Sequence, residues 1–117
     1  MGRLSGKVAV ITGAARGMGE SHAKYFISEG AQVVLTDLTE TAGQQLAKQL
    51  GSNAIFLQHD VTSADSWKEV VRQAESFFGP INVLVNNAGV LGPVANTLEL
   101  TEEDYHKVCN VNQHSVF

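Results

Sequence analysis

The chain has one cysteine, two prolines and few aromatic side chains, 7% of its 117 residues. Cys109 alone can form no internal disulfide and no cysteine metal cluster, which fits a reducing compartment and a cytoplasmic address. Basic residues are scarce as well: eight Lys and Arg stand against twelve Asp and Glu, a net charge of −4. Nucleic acid and anionic membranes reward a basic surface, so neither is expected as a partner. Long apolar runs are also missing. Val8–Ile11, after the N-terminal Met1–Lys7, is too short for a secretory core or a membrane span. Gly6 stands where a myristoylation signal needs Ser or Thr.

What is present is an ordinary globular composition, 44% hydrophobic and 17% charged, with 11 glycines. That excludes disorder and a collagen-like repeat. The length allows one domain, residues 1–117, with no linker or repeat to divide it. Four β-rich apolar runs, Val8–Ile11, Val33–Leu35, Ala54–Leu57 and Ile81–Val85, alternate with segments of helical period. Near-continuous apolar strands are expected where helices cover both faces of a parallel sheet. The order β-α-β-α-β-α-β-α therefore predicts an α/β fold, a Rossmann-type doubly wound parallel sheet.

The clearest helical stripe joins Trp67, Val70, Val71, Ala74, Phe77 and Phe78, which are expected in the core. Thr62 and Asp65 form a capping-box pattern at its start, and Gly79-Pro80 stops it. Gly30 and Gly51 mark the ends of the two earlier helices. A last helix opens on the capping box Thr101–Asp104, with Leu100 and Tyr105 spaced as a staple. Tyr105, Val108, Cys109, Asn112 and Val116 share one face, which predicts a helix still running at Phe117 and Cys109 on its buried side.

The chemistry starts after the first strand, at Thr12-Gly13-Ala-Ala-Arg16-Gly17-Met18-Gly19. Glycines at a strand-to-helix turn let the backbone approach a diphosphate, and the helix N-terminus offers free N–H groups to it. A tight turn without ligand is the alternative. Asp37 ends the second strand 24 residues beyond Gly13, near the spacing of an acid that binds an adenosine ribose. Such a carboxylate would repel a 2′-phosphate and favour NAD over NADP; Asp37 could instead cap the helix after Leu38-Thr39. Arg16 points the other way, since a guanidinium can pair with a 2′-phosphate. After the third strand, Asp60 could accept from an adenine amino group and the Val61 amide donate to the ring, or Asp60 could cap the next helix. Asn86 and Asn87 could bridge strand ends after the fourth strand, and Ala88-Gly89 leaves room for a ribose. Asn112, polar on an apolar helix face, needs a hydrogen-bonded job. His22, His59, His106 and His114 show no metal-ligand spacing and are expected as surface or satisfied histidines.

Taken together, Thr12-Gly13-x-x-x-Gly17-x-Gly19, Asp60-Val61, Asn86-Asn87-Ala88-Gly89 and Val111-Asn112 with Phe117 resemble the N-terminal part of a short-chain dehydrogenase/reductase, from about Gly6 onward. The resemblance implies an NAD-dependent oxidoreductase acting on an alcohol or ketone, most similar to hydroxysteroid dehydrogenases of the 3α/20β type. It implies cofactor contacts at Gly13, Arg16, Gly17, Met18, Gly19, Asp37, Leu38, Asp60, Val61, Asn87, Ala88 and Gly89. Asn86 is then mainly structural, and Asn112 is catalytic, holding a water of the proton relay through its backbone. A homo-oligomer, dimer or tetramer, is implied as well, with the last helix in a subunit contact.

The family also needs a serine, and a tyrosine and lysine four residues apart. Neither tyrosine here fits: Glu29 follows Tyr25 by four, and Cys109 follows Tyr105 by four. The 117 residues are therefore expected to be inactive alone, as a fragment, splice form or partial gene product with an open fourth strand. Two other readings stand beside this one: a non-catalytic dinucleotide-binding or subunit-pairing form, and another open α/β domain such as a methyltransferase. Thr12, where a methyltransferase would place an acid, speaks against the last.

Overall fold

The computed structural model describes residues 2–117; Met1, the first residue of the expected domain, lies outside them. Four parallel strands alternate with four helices: β1 (Val8–Thr12), α1 (Gly17–Ser28), β2 (Gln32–Asp37), α2 (Glu40–Leu50), β3 (Ala54–Gln58), α3 (Ala64–Phe78), β4 (Val83–Val85) and α4 (Glu102–Asn112). The sheet order is β3-β2-β1-β4. Successive strands step outward from β1 to β3, and the chain then crosses back to lay β4 on the other side of β1. That reversal opens a crevice at the carboxyl ends of β1 and β4, where open α/β sheets bind ligands.

The core shows why the strands are apolar on both faces. Ile11, Val33 and Leu35 are fully buried on one side with Ala23, Leu46 and Ala47 of α1 and α2. Val10 and Val34 point the opposite way, against Val70 and Ala74 of α3. Each buried Val, Leu or Ile among them stabilises by about 1.5–3 kcal/mol when taken from water. Gly30, Gly51 and Gly79, the stops expected after α1, α2 and α3, all adopt positive φ of 92–99°, a region that only glycine enters without strain.

Several local expectations are corrected. β4 begins at Val83 rather than Ile81, because Asn82 Oδ1 accepts the Val8 N–H at 2.8 Å and ends regular pairing there. α3 is capped by Ser63, whose hydroxyl accepts from the Ser66 N–H, while Thr62 is engaged by Asp60. Phe77 is 64% and Val71 39% exposed, and Trp67 and Phe78 are half-buried. Phe77 and Val71 lie on the flanks of the stripe, and only the strip centred on Val70 and Ala74 reaches the sheet.

The last helix differs most from its expectation. α4 does open on the capping box of Thr101 and Asp104, but none of its residues is buried, and Cys109 is only half-covered. It ends at Asn112, and His114–Val116 tightens into a 3₁₀ turn. His114 Nδ1 pairs with Asn110 Oδ1 at 3.0 Å, and the Ser115 hydroxyl donates to the Val111 carbonyl. Such local side-chain bonds compete with the helical ladder.

Candidate functional site

Four strand ends converge on a hollow of about 360 Å³. β1 contributes Gly13 and Arg16, β2 Asp37 and Leu38, and β3 Asp60 and Val61; Asn87, Ala88 and Gly89 follow β4. Nine of the cofactor residues expected from sequence thus share one wall. Thr39, His59, Val90 and Val111 line the same hollow. A larger hollow of about 680 Å³ lies between Leu84, Trp67 and the C-terminal turn. Of the expected cofactor residues it holds only Val61, so those residues gather at the smaller one.

The glycine loop is shaped by what glycine omits. A Cβ on Gly13 would stand 2.9 Å from Ala88 Cα, and one on Gly19 would strike the Gly13 carbonyl oxygen. These two glycines let the loop pack on itself and on the segment after β4. Gly17 is different: its φ is +63° and a Cβ there would meet nothing within 4 Å. It opens α1, whose N-cap residue Arg16 makes no side-chain cap, so the first-turn N–H groups are not taken by a cap. A bare backbone turn with helix N–H groups fits a diphosphate. Gly17 and Met18 are exposed outside the hollow, and Gly19 is buried behind it.

Thr12 and Asn87 lock this loop to β4. The Thr12 hydroxyl accepts the N–H groups of Asn87 and Ala88, both at 3.0 Å. The Asn87 carboxamide donates to the carbonyls of Thr12 at 3.0 Å and Gly13 at 3.1 Å. Of the two asparagines expected to bridge strand ends, Asn87 does so, its side chain turning back to β1, while Asn86 is exposed.

The acids face the hollow from the other strands. Asp37 Oδ2 accepts the Ala15 N–H at 3.1 Å, and Oδ1 accepts that of Thr39 at 3.3 Å. It both anchors the glycine loop and marks the start of α2, where Thr39 is the N-cap. Asp60 Oδ1 accepts from the Thr62 hydroxyl at 2.6 Å and the Thr62 N–H at 2.9 Å. Those bonds hold its carboxyl below the usual carboxylate range, with the side-chain bond the larger cause.

Asn112 is exposed rather than set in an apolar face, yet it is fully engaged. Its Oδ1 accepts the Val90 N–H at 2.7 Å and its Nδ2 donates to the Val90 carbonyl at 2.9 Å. α4 is thereby tied to the loop after β4 instead of the sheet. Gly89 lies close enough that a Cβ there would come within 3.3 Å of Asn112 Oδ1.

Two contributors were not legible as such. His59 is 2% exposed, with Nδ1 at 2.8 Å from Thr36 Oγ1. Trp67, expected as plain core, sets its ring edge-on to His59 and donates from Nε1 to the Val61 carbonyl at 2.9 Å. The one available signal was the position of His59 between an apolar strand and Asp60.

A parallel sheet ordered 3-2-1-4, with a glycine loop after β1 and acids after β2 and β3, defines a protein of Rossmann-type fold. The family described as short chain dehydrogenase matches residues 7–117, and the chain belongs to that family. It is 44% identical over 116 residues to a 3-beta-hydroxysteroid dehydrogenase of Comamonas testosteroni, covering 98% of this chain and 45% of the relative. It is 38% identical over 118 residues to an NADP-dependent (R)-specific alcohol dehydrogenase of Lentilactobacillus kefiri, covering 98% and 46%. The crystal structure of a 3-ketoacyl-(acyl-carrier-protein) reductase from Brucella melitensis, complexed with NADH, superposes with a TM-score of 0.93 at 35% identity, covering 97% and 47%. The chain spans about half the length of the relatives it matches.

Proposed function

We propose that residues 1–117 form the dinucleotide-binding part of an oxidoreductase that exchanges hydride between NAD(H) and an alcohol or ketone. The cofactor supplies or accepts the hydride; the protein orients it. The first turn of α1 and the backbone from Gly13 to Gly19 take the diphosphate. Asp60 and the Val61 amide meet the adenine, with Leu38 at the rim. Asn87, Ala88 and Gly89 flank the nicotinamide side, and Asn112 sets that side by holding Val90.

The observation that carries this reading is the place of Asp37. Its carboxylate lies at the end of β2, on the wall of the hollow, and each oxygen accepts one backbone N–H. The lone pairs left over can accept ribose hydroxyl protons. The same charge would repel a 2′-phosphate, so NAD is preferred to NADP. Arg16 shares the hollow and is exposed, the one feature there that would suit a 2′-phosphate, and we let Asp37, at the end of β2, decide. As a member of the alcohol and ketone class, a hydroxysteroid is favoured by the name of the Comamonas relative. A homo-oligomer is favoured by α4, which buries no residue and leaves Tyr105 64% exposed.

Isothermal calorimetry with NADH, NADPH and S-adenosylmethionine tests the reading. NADH is expected to bind, and NADPH to bind at least about tenfold more weakly. Heat with S-adenosylmethionine and none with NADH would overturn it.

A further inference from the structure

We propose that the neutral His59 imidazole is a positioning residue for the adenosine end of this cofactor site, so that cofactor affinity falls when the ring takes up a proton. The proposal rests on the dinucleotide reading of the hollow and deepens it.

His59 occupies the position just past β3, and three contacts from β2 and α3 fasten to it. Its backbone N–H donates to the Asp37 carbonyl at 2.9 Å, extending the β2–β3 pairing to the acid that faces the ribose. Nδ1 meets the hydroxyl of Thr36, itself fully buried, at 2.8 Å. The ring stands edge-on to the Trp67 indole with centroids 4.3 Å apart, and Trp67 in turn holds the Val61 carbonyl. Asp60 follows directly in the chain, its N–H donating to the Ser66 hydroxyl at 3.0 Å. The His59 backbone thus fixes the Asp37 carbonyl, while its imidazole sits between Thr36, next to Asp37 in the chain, and Trp67, which holds Val61.

The other ring nitrogen, Nε2, is buried without a partner. A neutral imidazole tolerates this arrangement at the cost of one unmade bond. An imidazolium would carry an N–H donor at both nitrogens and place a charge where water cannot reach it. Burial accordingly pushes the His59 pKa down, opposed by the Asp60 carboxylate. The charges around the ring are few: Asp60 beside it, Asp37 from β2 and Arg16 from the glycine loop line the same hollow. α3 presents the uncharged Trp67, and the segment after β4 presents Asn87 and Ala88. None of them bonds Nε2, so protonation favours a ring that leaves its seat and releases Thr36. Linkage makes the effect reciprocal: a cofactor that needs the seated ring lowers its pKa.

The test is an NMR titration of the four histidines of the chain between about pH 5 and 8, with and without saturating NADH. The His59 pKa is expected to drop by roughly half a unit or more on NADH binding. Calorimetry then compares the variants. NADH affinity of the native chain should weaken as pH falls from 7.5 towards 5, approaching about threefold for a half-unit drop in the His59 pKa. His59→Asn, which can still bond Thr36, should bind within about threefold of native at pH 7.5 and lose that pH dependence. His59→Phe, which keeps the ring and loses the bond, should bind about tenfold more weakly with an unchanged circular dichroism spectrum. A His59 pKa indifferent to NADH, or native pH dependence in His59→Asn, would overturn the proposal and leave the dinucleotide reading standing. No NADH binding by the native chain at any pH would overturn both.

Discussion

Thr12 and Asn87 grip each other in both directions: the Thr12 hydroxyl accepts the Asn87 N–H, and the Asn87 carboxamide donates to the Thr12 carbonyl, each at 3.0 Å. One threonine side chain, 1% exposed, thereby satisfies two backbone N–H groups of the segment after β4. Thr12→Val keeps the shape and strands both donors, and should cost about 2–3 kcal/mol in urea unfolding. Thr12→Ser keeps the hydroxyl and should cost about 1 kcal/mol. Equal losses in the two variants would show that the hydroxyl carries nothing.

The role proposed for Asp37 is to separate the two nicotinamide cofactors by its charge. Asp37→Asn retains an acceptor for one backbone N–H but removes the repulsion of a 2′-phosphate. NADH affinity should fall about tenfold or more, and the preference over NADPH should shrink or reverse, as read by calorimetry. An unchanged NADH to NADPH ratio would remove Asp37 from cofactor selection.

The loop glycines should respond unequally to alanine. Gly13 and Gly17 share a left-handed φ, +62° and +63°. Only Gly13 also has Ala88 against the space a Cβ would fill. Gly17→Ala should cost about 1–2 kcal/mol from backbone strain. Gly13→Ala should cost about 1–3 kcal/mol more, because the added methyl overpacks the junction with β4. Thermal or urea unfolding of the pair measures the difference.

Ser63 and Thr62, adjacent hydroxyls, have separate jobs that substitution should expose. Ser63→Ala removes the α3 cap and should cost about 1 kcal/mol. Thr62→Ala leaves the cap intact and releases the Asp60 carboxylate, so the Asp60 pKa should rise toward its ordinary 3.8. Carboxyl NMR titration of the two variants distinguishes these effects.

Stability should decline in acid in two stages. The His59 pKa is lowered in the folded chain by burial, so the unfolded chain binds the proton more readily. That stability is full above the ordinary 6.5 and is lost as pH falls through the lower folded value. Asp60 is lowered by Thr62, and Asp104 by the Thr101 N–H and hydroxyl. Their contributions are present above the ordinary 3.8 and disappear as pH drops through their folded values. Urea midpoints measured against pH should show both stages, and His59→Asn should remove only the first.

Much of the fold was legible because its signals are local. Apolar strands, helical stripes and the glycine stops of α1 to α3 depend on near neighbours in the chain. The residues that line the smaller hollow were legible for a related reason: they follow closely after the strands, and parallel strands bring such positions to one edge. Phe77 was misjudged because periodicity gives the direction of a stripe and not the width of sheet beneath it. α4 was misjudged because an amphipathic face does not name its partner, which proved to be the Val90 loop.

The sequence by itself determined an α/β chain, its alternation of strands and helices, and a glycine loop with acids at the next two strand ends. Spacing along the chain is enough for that, since turns, caps and burial periods are read within a few residues. Only the tertiary structure decided that Asn87 rather than Asn86 bridges to β1, and that Asn112 holds a backbone loop. It also set His59 between Thr36, Trp67 and the Asp37 carbonyl. Those bonds join residues 22 to 75 positions apart. No local pattern encodes them, because each exists only once the sheet has closed the distance.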